Sequence, residues 1–119
     1  MNIVNPKQVI QIYNILRDLG LNTTLKGTKL INTAIQLVIK SDNEYIVLKD
    51  IYKSISKNYY KSTTKQIENY ISYALNSRIE EKSQKNFEKI FGFKYDSYYF
   101  TNKIIIEEIA RIIIEYINT

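Results

Sequence analysis

A single proline, Pro6, and three glycines, at 20, 27 and 92, are the only strong backbone breakers in 119 residues. A chain so poor in turn-forming residues is expected to fold as helices joined by short connections. The apolar residues recur accordingly. Asn5 before Pro6 reads as an N-cap with proline at the first helical position. The helix it opens runs to about Leu19, with Val9, Ile12, Tyr13, Leu16 and Leu19 on one face and Gly20 as its stop. After LNTTLKG a second helix carries Leu30, Ile31, Ala34, Ile35 and Val38 at helical spacing, and SDNEY ends it.

A third helix is expected from about Leu48 to Tyr59. Leu48, Ile51, Tyr52, Ile55 and Tyr59 share one face, and Lys49, Lys53 and Lys57 form a flank at four-residue spacing. Thr63-Thr64-Lys65-Gln66 has the form of a capping box and opens a fourth helix to about Arg78. There Ile67, Tyr70, Ile71, Ala74 and Leu75 lie inward, with Lys65, Asn69, Ser72 and Asn76 opposite. A short polar connection around Tyr60, Lys61 and Ser62 joins the two. A fifth helix spans Ser83 to Phe91, and GFKYDSYYF forms an aromatic loop or a short extended excursion. Thr101 caps a final helix from Asn102 to about Asn118, whose isoleucines cover about half its circumference. That stripe reads equally as a deeply buried terminal helix or as a dimer surface formed by Ile106, Ile113, Ile114 and Ile117. The expected fold is all-α: about six helices around a helix-turn-helix, in one domain, with an aromatic loop before the last helix.

The chemistry open to such a chain is narrow. Without cysteine or histidine it has no thiol nucleophile, no thiolate zinc site, and neither the commonest general base nor the commonest metal ligand. Glu80-Glu81 and Glu107-Glu108 are neighbours on their helices, diverging by roughly 100°, so neither pair makes a carboxylate dyad. They read as solvated acids. No enzyme activity, metal or other cofactor is expected. No apolar run is long enough for a membrane span, and the N-terminus lacks the pattern of a signal peptide; a cytoplasmic location is expected.

The net charge of +5 is concentrated in the middle of the chain, where residues 26–65 carry eight lysines against Asp42, Glu44 and Asp50. A localised basic surface beside a capped helix with small polar residues outside is the footprint of a nucleic-acid binder. Lys49, Lys53, Lys57 and Lys61, with Ser62, Thr63, Thr64 and Lys94, are the candidates for DNA phosphates. Lys65, Glu68, Asn69, Ser72 and Tyr73 are the candidates for bases.

The motifs also occur in a familiar order. Ile15-Leu16-Arg17-Asp18-Leu19-Gly20-Leu21 leads to Leu25-Lys26-Gly27, and Leu30 to Ala34-Ile35. Then come Ile55-Ser56-Lys57 with Tyr60 and Ser62-Thr63, followed by Ile67-Glu68, Ile71 and Ala74. Ile90-Phe91-Gly92-Phe93 and Thr101-Asn102 close the series. From about Ile10 to Ile114 the chain resembles the C-terminal DNA-binding effector domain of the sporulation stage-zero response regulators of spore-forming Firmicutes. The resemblance implies a six-helix domain that binds short asymmetric boxes of double-stranded DNA and pairs on tandem boxes, partly through its terminal helix.

It also implies differences. Asn69 stands where the family has arginine, and Ser72 and Tyr73 replace its next arginine and histidine. Asparagine suits the N6/N7 edge of adenine, so a box shifted toward A·T under Asn69 is expected. The loop before the last helix is about three residues shorter than in the family, leaving Lys94, Tyr98 and Tyr99 to touch the DNA backbone. Relatives carry a phosphorylatable receiver domain ahead of this region. Here only Met1 to Val9 precede it, so either DNA binding without phosphorylation control or a fragment of a larger protein is expected, and a start at Met1 with its own capped helix favours a free-standing regulator. Two alternatives remain open: a module that pairs with and modulates a full-length relative through residues 104–117, and a plasmid or phage DNA-processing accessory factor.

Overall fold

The computed structural model describes residues 4–41, 47–59 and 61–117, with side chains as far as 115. Its elements are α1 (Pro6–Asp18), α2 (Lys26–Ser41), α3 (Leu48–Asn58), α4 (Thr64–Asn76), α5 (Glu80–Phe91) and α6 (Asn102–Ile117), with one 3-10 turn at Ser97–Tyr99. No strand occurs among the described residues. The fold is all-α, with six α-helices among the described residues. Tyr60, the last four residues of the SDNEY segment and the side chain of Ile117 lie outside the described residues.

Local signals set most of the helix ends. Asn5 caps α1 by accepting the Gln8 N–H, while the Gln8 side chain accepts the Asn5 N–H in return. At the other end the Leu21 N–H donates to Leu16 and the Gly20 N–H to Arg17, the two bonds of a Schellman motif. Gly20 has the positive φ that this motif requires, +96°. Two ends depart from the expected bounds. α2 begins at Lys26, so Gly27 sits inside the helix instead of in the connection before it. α5 begins at Glu80, three residues earlier than expected, with Glu80 and Glu81 in its first turn, where negative charge opposes the helix dipole.

α2 is the central element and packs against α1, α3, α4 and α6. Its Leu30, Ile31, Ala34, Ile35, Val38 and Ile39 are buried. Two polar residues of α2 are buried with them: Thr28 donates to the Asn22 carbonyl at 2.6 Å, and Asn32 donates to the Val9 carbonyl at 3.2 Å and accepts from Gln36 at 2.7 Å. α6 supplies Ile105, Ile106, Ile109, Ala110 and Ile113 to the same core. Ile106 is 0% and Ile113 1% exposed. The dimer role expected of these two is therefore corrected: their side chains are consumed by the chain's own interior, each burial stabilising by about 1.5–3 kcal/mol. Ile112 and Ile114 pack half-buried at the core margin.

The loop between α5 and α6 folds back on Phe87. That buried ring has Phe91, Phe93, Tyr95, Tyr99 and Phe100 around it, at centroid distances of 4.8–6.0 Å. Aromatic packing, not extended backbone, thus fixes where α6 starts.

α2 and α4 approach so closely that a Cβ on Gly27 would lie 1.9 Å from the Tyr70 carbonyl oxygen and 2.8 Å from the Ala74 Cβ. Gly27→Ala must push the helices apart and is expected to cost about 1–3 kcal/mol. Urea denaturation checks this: the midpoint should fall with the slope unchanged. Lys29→Ala, on the exposed side of the same helix, should move stability by less than about 0.5 kcal/mol.

Candidate nucleic-acid interface

α3 and α4 form the expected hairpin. α3 buries Tyr52 and Ile55, and α4 buries Ile67, Ile71, Ala74 and Leu75. The connection is tied locally: the Ser56 hydroxyl donates to the Ser62 carbonyl, and Thr63 opens α4 with a full capping box. The Gln66 N–H donates to Thr63 Oγ1 at 3.1 Å, and the Thr63 N–H to Gln66 Oε1 at 2.9 Å. The start of α4 is thereby fixed by its own sequence.

With one side of α4 in the core, Lys65, Asn69, Tyr73 and Asn76 form an exposed strip along the other. Tyr73 is 63% exposed. Lys49, Lys53, Lys57, Lys61 and Lys94 are exposed. Lys49 and Lys65 line one hollow between α3 and α4, together with Tyr52, Thr64 and Glu68. Lys49, the first lysine of the α3 flank, therefore borders the N-terminal half of α4. Thr63 is exposed and Ser62 and Thr64 half-buried, all at the same end of the hairpin.

Two of the residues expected to face bases are placed differently from the rest. Glu68 is half-buried, with its carboxylate 3.9 Å from the Lys65 ammonium, an exposed pair of little energetic weight. Ser72 is turned toward the start of α6, where its hydroxyl meets the Asn102 amide. The strip that remains open is Lys65, Asn69 and Tyr73, extended by Asn76.

Asn102 and Arg78 carry connections that periodicity gave no sign of. Arg78, just beyond α4, donates to the Leu75 carbonyl at 2.9 Å and to Ser83 Oγ at 3.2 Å. Its guanidinium lies 3.8 Å over the Phe100 ring. A cation at this position also offsets the negative end of the α4 dipole. Tyr95 donates to Glu80 at 2.6 Å, so Glu80 is not simply a solvated acid. Among the described residues no cluster of three or more metal-ligating side chains occurs, and no helix is long and apolar enough to cross a membrane.

Residues 12–113 match the family described as Sporulation initiation factor Spo0A C terminal. The chain belongs to this family. Neither a curated protein nor a solved structure matches significantly. The Spo0A C-terminal family is that of a helical DNA-binding domain in a transcription regulator for sporulation. The matched range takes in all of α2, α3, α4 and α5, and so the whole of the hairpin described above.

Burial pushes the Tyr52 phenol above its ordinary pKa. The Asn102 amide that donates to its oxygen pulls the other way less strongly, and the Glu68 charge adds to the rise. A raised folded-state value means that the folded protein holds this proton more tightly than the unfolded chain. The resulting stability is complete below about pH 10, the unfolded value, and is lost as pH rises through the folded one. Tyr52→Phe removes that dependence along with one hydrogen bond. The variant should be about 0.5–1.5 kcal/mol less stable at pH 7, and its urea midpoint should fall less steeply than the parent's above pH 10.

Proposed function

We propose that this chain is a sequence-specific double-stranded DNA-binding protein that regulates transcription, with α4 entering the major groove. The observation that carries this reading is the open strip of Lys65, Asn69 and Tyr73 on a helix whose other side and N-terminus are both fixed. A helix is about 10–12 Å across and the major groove about 12 Å wide, so the side chains nearest the bases must be few and mostly short. Membership of a DNA-binding family supports the same conclusion.

The division of labour follows from position. Lys49, Lys53, Lys57 and Lys61, with Ser62, Thr63 and Thr64 at the turn and Lys94 on the aromatic loop, meet phosphates and set register without reading sequence. Lys65, Asn69 and Tyr73 reach base edges: the Asn69 amide suits adenine, and the Tyr73 ring offers an apolar face to a thymine methyl. Glu68 touches the groove only if it leaves Lys65, and Ser72 contributes through α6.

The strip lies open among the described residues, which favours DNA binding that needs no phosphorylation, in the cytoplasm where the nucleoid lies. Pairing on tandem boxes would use the half-buried margin at Ile112 and Ile114, since Ile106 and Ile113 are interior.

Gel shifts with the purified, unphosphorylated protein, on boxes recovered from a random-library selection, test the reading. Lys57→Ala and Lys61→Ala should each reduce the slope of log K against log salt by about 0.9. Asn69→Ala should relax an A·T preference at one position, losing about 1–3 kcal/mol of discrimination there, with non-specific affinity unchanged. A selection that recovers no preferred sequence, or lysine variants with the parent's salt slope, would refute the assignment.

A further inference from the structure

We infer that Asn102 is a positioning residue for base reading: it fixes the rotation of α4 about its own axis from outside the hairpin. This inference rests on the DNA-binding reading above and adds to it the residue that aims the helix.

Asn102 is the first residue of α6. Its two N–H groups go to the Tyr52 hydroxyl at 3.2 Å and the Glu68 carbonyl at 3.3 Å, with Ser72 Oγ 3.1 Å from the same nitrogen. One amide therefore holds α3 through Tyr52 and α4 through both its main chain and Ser72. The orientation of that amide is set by chemistry, because a carbonyl oxygen only accepts and the nitrogen must face Glu68. Oδ1 then takes the Ser72 hydroxyl at 3.3 Å. A serine in mid-helix ordinarily turns back to a carbonyl of its own helix; this one is engaged by α6 instead.

The platform under Asn102 is itself anchored. Thr101 Oγ1 caps α6 by accepting the Ile104 N–H at 3.2 Å. Phe100 is buried beneath the Arg78 guanidinium, which also grips the end of α4 through Leu75. The apolar underside of α4 is held by a non-directional force that tolerates a roll of the helix, whereas hydrogen bonds are directional. Ser72 and Asn69 lie roughly 60° apart around α4. A roll allowed by loss of the Asn102 bonds thus swings Asn69 and Tyr73 together, where recognition tolerates about 10–20°.

The test compares affinity for a selected box with affinity for a scrambled duplex, across a salt series, alongside thermal melting. Asn102→Asp keeps the shape and suits the first turn of α6, but offers Glu68 no donor. It and Asn102→Ala should each lower the ratio of specific to non-specific affinity by about tenfold, with parental salt slopes. Ser72→Ala should lower the ratio in the same direction, and adding it to Asn102→Ala should cost less than the sum of the two. A folded Asn102→Asp protein with the parental ratio overturns the inference, as does an equal drop in both affinities. Should the Asn102 variants melt below the assay temperature, Ser72→Ala decides, and an unchanged ratio overturns the proposal. If the unmodified protein prefers no box, the DNA-binding reading itself fails and this one falls with it; a preference that survives in Asn102→Asp removes only the positioning role.

Discussion

The close approach of α2 to α4 governs what the rest of the molecule can offer a partner. At Gly27 the two backbones leave no room for even a methyl group, since a Cβ would overlap the Tyr70 carbonyl. Ala74, the smallest side chain on the buried side of α4, faces the same point. With α4 seated this deeply, Ile67, Ile71 and Leu75 are enclosed and its opposite side is necessarily what solvent meets. Lys26 adds to the seating from the flank, with its ammonium 5.6 Å from the centre of the Tyr70 ring.

Function follows from how the remaining freedoms of α4 are removed. The Thr63–Gln66 box fixes where the helix starts, and Arg78 fixes where it ends. Apolar packing sets its depth, and the Asn102 amide sets its roll. What is left exposed is a short polar strip with a tyrosine, bordered by Lys49 from α3. The strip is small and tightly held, and it lies in the part of the chain that carries most of the excess positive charge, residues 26–65, or directly follows it. That combination fits a ligand that is itself a polyanion with a readable groove.

Much of this was legible in the sequence because it is written locally. Asn5-Pro6 and the Thr63–Gln66 box need only neighbours to act, and the helices begin where they say. The lysine spacing of α3 is likewise a property of one helix. Features that depend on distant partners were not visible. Gly27 resembles a loop residue until α4 is brought against it. Ile106 and Ile113 share a stripe with residues open to a second copy, and only the packing of α1, α2 and α4 on α6 makes them interior. Ser72 has the right chemistry for a base, but its partner Asn102 lies 30 residues away. The start of α5 is marked by charge and not by apolar spacing, since Glu80 and Glu81 occupy its first turn.

The central claim is that the α3–α4 hairpin is the surface that meets duplex DNA. Backbone amide chemical shifts, followed while a duplex carrying a selected box is titrated into labelled protein, test it most directly. The account predicts that the largest changes fall between residues 47 and 77, centre on Lys65, Asn69 and Tyr73, and saturate at a defined stoichiometry. Changes confined to α1, α5 and the outer side of α6, with α4 silent, would contradict it.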